Sequence, residues 1–169
     1  MSLTTGRLRL SRLSYDDAEF ILALLNEPSF QQYIGDKGVR SLDDACAWLR
    51  NVPLAHYERF GFGLYRVSDI NGDGSAGICG LVKRDEFPEP DLGFAFLKAY
   101  WANGYAVESS RAVLAEARDR FDLGRILAMA DEENVASTRV LEKLGFRYER
   151  RVTMPGEARE ICQYAIEGW

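Results

Sequence analysis

Two short segments hold the residues best suited to chemistry. The first is Trp101-Ala102-Asn103-Gly104-Tyr105-Ala106, where an alternating stretch passes through small residues into an amphipathic helix. A helix entered in this way leaves N–H groups unpaired at the positive end of its dipole, and phosphate is the usual anion for such a place. Ala102, Gly104 and Ala106 are small where bulk would block an approaching ligand. The alternative is that Gly104 only lets the helix pack closely. A dinucleotide turn is disfavoured, because Gly104-Tyr105-Ala106-Val107-Glu108-Ser109 breaks the G-x-G-x-x-G spacing. No Lys-Ser/Thr pair follows the glycine, which disfavours a P-loop. The second segment is Asn134-x-x-Ser137, with Gly145-Phe146 beyond it. It predicts a helix with Asn134 as N-cap, Ser137 as a hydroxyl in the first turn and Gly145 just past the end.

These segments need elements to hold them. Gly6 to Leu13 alternates leucine with arginine and predicts a half-buried strand. Ser14-x-x-Asp17 and Ser41-x-x-Asp44 open two helices; Asn26-Glu27-Pro28 ends the first, and Pro53 kinks the second, which runs to about Arg59. Strands follow at Phe62 to Ser68 and Ala76 to Lys83. Between them, Asp69-x-Asn71-x-Asp73-Gly74 copies half of a calcium loop. Position twelve of such a loop is Gly80 and not Glu, so the segment reads as a hairpin turn and no metal site is expected. From Asp91, Leu92, Phe94 and Phe96 point to a core face while Gly93, Ala95 and Leu97 point away from it. Further strands are expected at Arg125 to Ala130, Phe146 to Thr153 and Ile161 to Glu167, with the turn Met154-Pro155-Gly156-Glu157 between the last two. The expected architecture is one α+β domain over residues 1–169: a mixed sheet of about seven strands with helices on both faces.

Composition narrows the function. An apolar fraction of 47% and a charged fraction of 28% are ordinary for a globular chain. A net charge of −5 without a basic block argues against nucleic acid. The start carries no apolar leader and no apolar run reaches about 18 residues, so a cytoplasmic protein off the membrane is expected. Cys46, Cys79 and Cys162 are odd in number and scattered, which suits reduced thiols. His56 is the one histidine, and its amphipathic surroundings suit packing better than catalysis.

Taken together, the turn and the Asn134–Phe146 helix resemble the GNAT acetyltransferase superfamily, in particular its RimJ/RimL-like branch. Gly104 and Ala106 match the last positions of its Gln/Arg-x-x-Gly-x-Gly/Ala signature, and Trp101 at the first position is characteristic of the branch. Ala102 departs from it by replacing a glycine. The resemblance implies acetyl-CoA as donor, with its pyrophosphate on the amides of Trp101, Ala102, Asn103, Gly104, Tyr105 and Ala106. It also implies pantetheine in a gap where the Asp91 strand splays from the Arg125 strand, met by backbone groups around Ala95, Phe96 and Leu97, and cofactor contacts from Asn134 and Ser137. Those N–H groups would polarise the thioester carbonyl.

The resemblance implies protic roles as well. Many relatives carry a tyrosine in the last helix as general acid; this chain has Leu141 there. Ser137 is the branch's substitute beside the sulfur, unless it only caps its helix. Asp91 is the leading candidate base, with Glu157 and Glu160 as rivals, while Glu108 is expected to support the turn. The expected activity is acetyl transfer to a primary amine, with a peptide N-terminus favoured over a small-molecule amine, by a monomer or homodimer. The competing reading is a catalytically weak acyl-CoA-binding module.

Overall fold

The computed structural model describes residues 2–72 and 74–169. Asp73, in the calcium-like segment, lies outside the described residues. The strands are β1 (Ser2–Thr4), β2 (Leu8–Arg12), β3 (Leu64–Asp69), β4 (Ser75–Val82), β5 (Asp91–Phe96), β6 (Arg125–Ala130), β7 (Arg147–Thr153) and β8 (Glu160–Glu167). The helices are α1 (Ala18–Leu25), α2 (Pro28–Tyr33), α3 (Leu42–Leu49), α4 (Ala55–Phe60), α5 (Tyr105–Asp119) and α6 (Val135–Leu144). All eight strands form one open sheet in the order β1-β2-β3-β4-β5-β6-β8-β7.

The sheet therefore has eight strands, not about seven. The extra one, β1, is too short to show an alternation and is fixed by its pairing with β2, from Ser2 opposite Ser11 to Thr4 opposite Arg9. A second correction concerns Pro28, which starts α2 instead of merely ending α1. A proline at the first helical position gives up an N–H that has no partner there anyway. Pro53 behaves as expected: a five-residue π segment, Arg50–Leu54, carries the helix past it into α4. The Ser14 capping box forms in full.

Helices cover both faces. Val113, Leu114 and Ala117 of α5 and Leu141 of α6 pack with Cys79, Leu81, Leu92 and Ile126 on one side. Ile21 and Leu24 of α1 and Ala45 and Leu49 of α3 pack with Leu64 and Ile78 on the other. Strands covered on both sides have no polar face, which explains the run of buried residues through β4.

One feature of the sheet makes the site. β5 and β6 are parallel and pair only at Asp91–Leu127 and Leu92–Ala128. Beyond Leu92, β5 stays with β4 through Phe96, and β6 stays with β8 through Ala130. The two strands thus separate, each held by its outer partner, and a gap opens toward the start of α5. Among the described residues no helix is long and apolar enough to cross a membrane.

Candidate active site

Two connected cavities fill that gap. The larger, about 400 Å³, runs between β5, the starts of α5 and α6, and the opposing wall of α1 and α2. Phe94, Ala95, Phe96, Trp101, Ala106, Asn134 and Ser137 line it. The smaller, about 130 Å³, lies deeper, among Arg84, Asp91, Asp131, Ser137, Glu157 and Arg159. Asn134, Ser137 and Phe94 line both, so Ser137 stands where the channel meets the inner chamber.

The turn at the outer end is built from backbone. Ala102 and Gly104 both adopt left-handed conformations, with φ of 62° and 76°. No side chain caps α5. Trp101 N–H closes a short turn on Lys98 O, and the next helical bond to this region is Glu108 N–H to Gly104 O. Among the described residues, the amides of Ala102 to Val107 between them meet no protein acceptor. A row of free N–H groups at a helix start, curved by left-handed residues, is an anion nest. The fit to a pyrophosphate is therefore good without any basic cluster. Asn103 serves the turn itself, its Nδ2 donating to Tyr100 O and Trp101 O. Glu108 lies to one side of the nest. It accepts from Thr5 Oγ1, Arg7 N and Arg7 Nε, which anchors α5 to the β1–β2 hairpin. Burial raises its carboxyl, but these bonds outweigh burial and hold it below the usual range.

Along β5 the expected backbone contacts need adjusting. Leu97 N–H is already bonded to Ala76 O at 2.9 Å, so it is not free to meet a ligand. Antiparallel ladders use alternate residues, which commits Ala95 to Ile78 as well. Phe94 and Phe96 are the residues whose backbone groups face the gap. The carbonyl of Phe96 accepts the indole N–H of Trp101 at 2.9 Å, which fastens that half-exposed ring to the channel wall.

Asn134 caps α6 as expected, its Oδ1 accepting Ser137 N–H at 3.2 Å. Its Nδ2 also donates to Ser137 Oγ at 2.9 Å. Gly145 closes the helix with φ 98°. Leu141 is buried beneath the inner chamber, where it offers no proton.

The carboxylates of the chamber differ sharply. Asp91 is buried and ion-paired with Arg84. Burial pushes its carboxyl above the ordinary value, while Arg84 acts in the opposite sense. Glu157 also lines the chamber; among the described residues its carboxylate makes no ion pair within 4 Å, and Lys37, in the same lining, is the cation that feels its charge. Glu160 is exposed at the start of β8 and lines neither cavity. His56 sits elsewhere, its ring nitrogens on Val52 O and Lys83 O and its face against Phe60, as a packed histidine does.

Arg84 and Arg159 were not legible as site residues. Arg159 donates to Gln32 O, Tyr33 O and Ile34 O at the end of α2 and to Asp131 after β6. It ties the β7–β8 loop, the α2 wall and the inner chamber together. No local pattern marks such a residue, because its partners are some 28 to 127 positions away.

The family model described as the acetyltransferase (GNAT) domain matches residues 7–147. A relative from Bacillus subtilis (strain 168), the uncharacterized N-acetyltransferase YoaA, is 28% identical over 149 residues, covering 87% of this chain and 83% of its own length. The solved GNAT-family acetyltransferase from Bacillus anthracis matches with a TM-score of 0.81 at 25% identity, over 99% of this chain and 98% of that one. A solved RimL, a ribosomal alpha-N-protein acetyltransferase in complex with coenzyme A, shares the fold with a TM-score of 0.82 at 18% identity, over 99% and 98% of the two chains.

Proposed function

This chain belongs to the GNAT acetyltransferase family, and we propose that it moves an acetyl group from acetyl-CoA to a primary amine by direct attack on the thioester. The observation that carries the reading is the unpaired amide row of Ala102 to Val107, which opens into a channel ending at Ser137. Acetyl-CoA is a substrate with an anionic pyrophosphate, an extended pantetheine and a thioester, in the order these three features would meet them. The likeness of fold to a RimL solved with coenzyme A supports this placement. The free thiols of Cys46, Cys79 and Cys162 are consistent with work in a reducing cytoplasm.

In this reading the amine enters the inner chamber and forms the C–N bond as the C–S bond breaks. The backbone N–H groups of Phe94 and Phe96, on the open side of β5, stabilise the oxygen that gains charge. A thiol of pKa about 8.5 leaves readily as its anion, so a hydrogen bond from Ser137 O–H suffices where other relatives use a full acid. Of the three chamber carboxylates, Glu157 is the best acceptor for the amine's proton, because Arg84 already occupies Asp91 and Arg159 occupies Asp131. Asp91 then holds the floor of the chamber, an arrangement that replaces it as the leading base.

The finer proposal is a peptide N-terminal amine as acceptor. Deprotonating an α-amine of pKa 7.7–8.0 at pH 7 costs about 1–1.4 kcal/mol, against about 4.6 for lysine near 10.4. A site whose freest base is one glutamate suits the lower figure. The test offers acetyl-CoA with a lysine-free peptide bearing an open N-terminus, or with a blocked peptide bearing one lysine. Faster release of free thiol with the open N-terminus is expected. Faster acetylation of the blocked lysine peptide overturns the preference, and the absence of thiol release with every amine tested favours the acyl-CoA-binding module.

A further inference from the structure

The side chain of Asn134 does more than cap α6. Ser137 N–H can only donate, so the amide atom facing it at 3.2 Å must be the oxygen. The amide nitrogen then faces Ser137 Oγ at 2.9 Å, and at that contact the hydroxyl oxygen must accept. A serine in a helix ordinarily spends its own proton on a carbonyl three or four residues back. Here it makes neither bond: Asn134 O already receives both Thr138 N–H and Thr138 Oγ1, and Glu133 O receives Val135 N–H but no bond from Ser137 Oγ. Among the described residues, the proton of Ser137 is left without a protein acceptor, at the junction of the two cavities.

We propose that Asn134 is a positioning residue that sets the direction of the Ser137 hydroxyl, holding its oxygen as acceptor so that its proton is presented to the departing sulfur. The inference rests on the role given to Ser137 above. It names one more residue on which turnover depends, and it states the chemical property that residue must have: a donor toward Oγ combined with an acceptor toward the Ser137 amide. Asparagine has both. Aspartate has only the second, and as an N-cap it is asparagine's equal.

Asn134→Asp is therefore the informative substitution. The helix cap survives, but the carboxylate draws the Ser137 proton to itself. Turnover with acetyl-CoA is expected to fall as far as in Ser137→Ala, about tenfold to a hundredfold. The double variant is expected to be no slower than Ser137→Ala alone. Asn134→Ser, which keeps a cap and offers no carboxylate, is expected to lose less than Asn134→Asp. The loss should lie in kcat with acetyl-CoA binding retained, and it should shrink with an acetyl thioester of a more acidic thiol, which needs less help to leave. Melting temperatures check that all the variants fold. Wild-type turnover in Ser137→Ala would overturn the reading of the hydroxyl itself. A slow Ser137→Ala beside a wild-type Asn134→Asp would overturn the role of Asn134 alone. A double variant slowed by the product of the two single effects would also overturn it, since Asn134 would then act independently of Ser137.

Discussion

The outer channel and the inner chamber are neighbours built on opposite plans. The channel offers its ligand main-chain N–H groups from one turn and one strand, within a stretch from Phe94 to Val107. The chamber offers side chains from six separate places: the loop after α2, the loop before β5, β5 itself, the loop after β6, α6 and the β7–β8 loop. A ligand shared across a family can be met by backbone, whose geometry survives substitution. An acceptor that differs between relatives must be met by side chains that change freely. On the proposed function, the channel suits cofactor recognition and the chamber suits specificity.

The sharpest way to break the comparison is to substitute two of the chamber carboxylates, Asp91 and Glu157, separately. Asp91→Asn leaves the Arg84 guanidinium without its buried partner. A loss of about 3 kcal/mol of stability is expected, the low end for such a pair because Arg84 keeps some contact with solvent. Glu157→Gln breaks no bond, so its melting temperature should be unchanged while turnover falls about a hundredfold, as expected for a lost proton acceptor. Denaturant titration and thiol-release assays on both variants check the pair; a stable, inactive Asp91→Asn beside an active Glu157→Gln would exchange their roles.

Next in size is a change on the channel side. Ala106→Leu keeps a good helix former at the start of α5 but fills the channel wall. A misfit of about 1.4–2.8 kcal/mol, within the usual range for overpacking, weakens acetyl-CoA binding about tenfold to a hundredfold. Calorimetric titration checks it, with the acceptor KM expected to stay near the wild-type value.

How much of this was readable beforehand follows the same division. The turn, the Asn134 cap, Gly145 and the boundaries of β6 were legible because each depends on residues within a few positions of one another. The splay of β5 from β6 came from the family resemblance, and its position after Leu92 from the sheet itself. Arg159 and the unbonded carboxylate of Glu157 were illegible, since each is defined by partners, or by missing bonds, far away in the chain. Arg84, by contrast, lies seven positions from Asp91 and meets it only through the path of the β4–β5 loop. Leu97 was misassigned for a subtler reason. Alternation says which way a side chain points, but which neighbour takes the N–H depends on the register with β4.

Two smaller effects refine the picture of the turn. Ala102 holds a left-handed φ of 62°, a conformation that costs a residue with a Cβ about 1–2 kcal/mol. Ala102→Gly removes that cost at some expense in chain entropy, and a net gain of about 0.5–1 kcal/mol is expected in thermal unfolding. Glu108→Gln is expected to cost less than about 1 kcal/mol at pH 7, since Arg7 is half exposed. Its signature is in the pH dependence. The folded carboxyl titrates below its ordinary value of 4.5, so its stabilisation is complete above that pH and is lost as pH falls through the lowered value. Melting curves of the wild type should therefore drop more steeply than those of Glu108→Gln below about pH 4.5.

The most direct measurement is a crystal structure with coenzyme A. The account predicts the pyrophosphate on the amides of Ala102 to Val107, pantetheine in the gap between β5 and β6, and the sulfur within hydrogen-bond reach of Ser137 Oγ. Coenzyme A bound away from the start of α5, or a sulfur out of reach of Ser137, would contradict it.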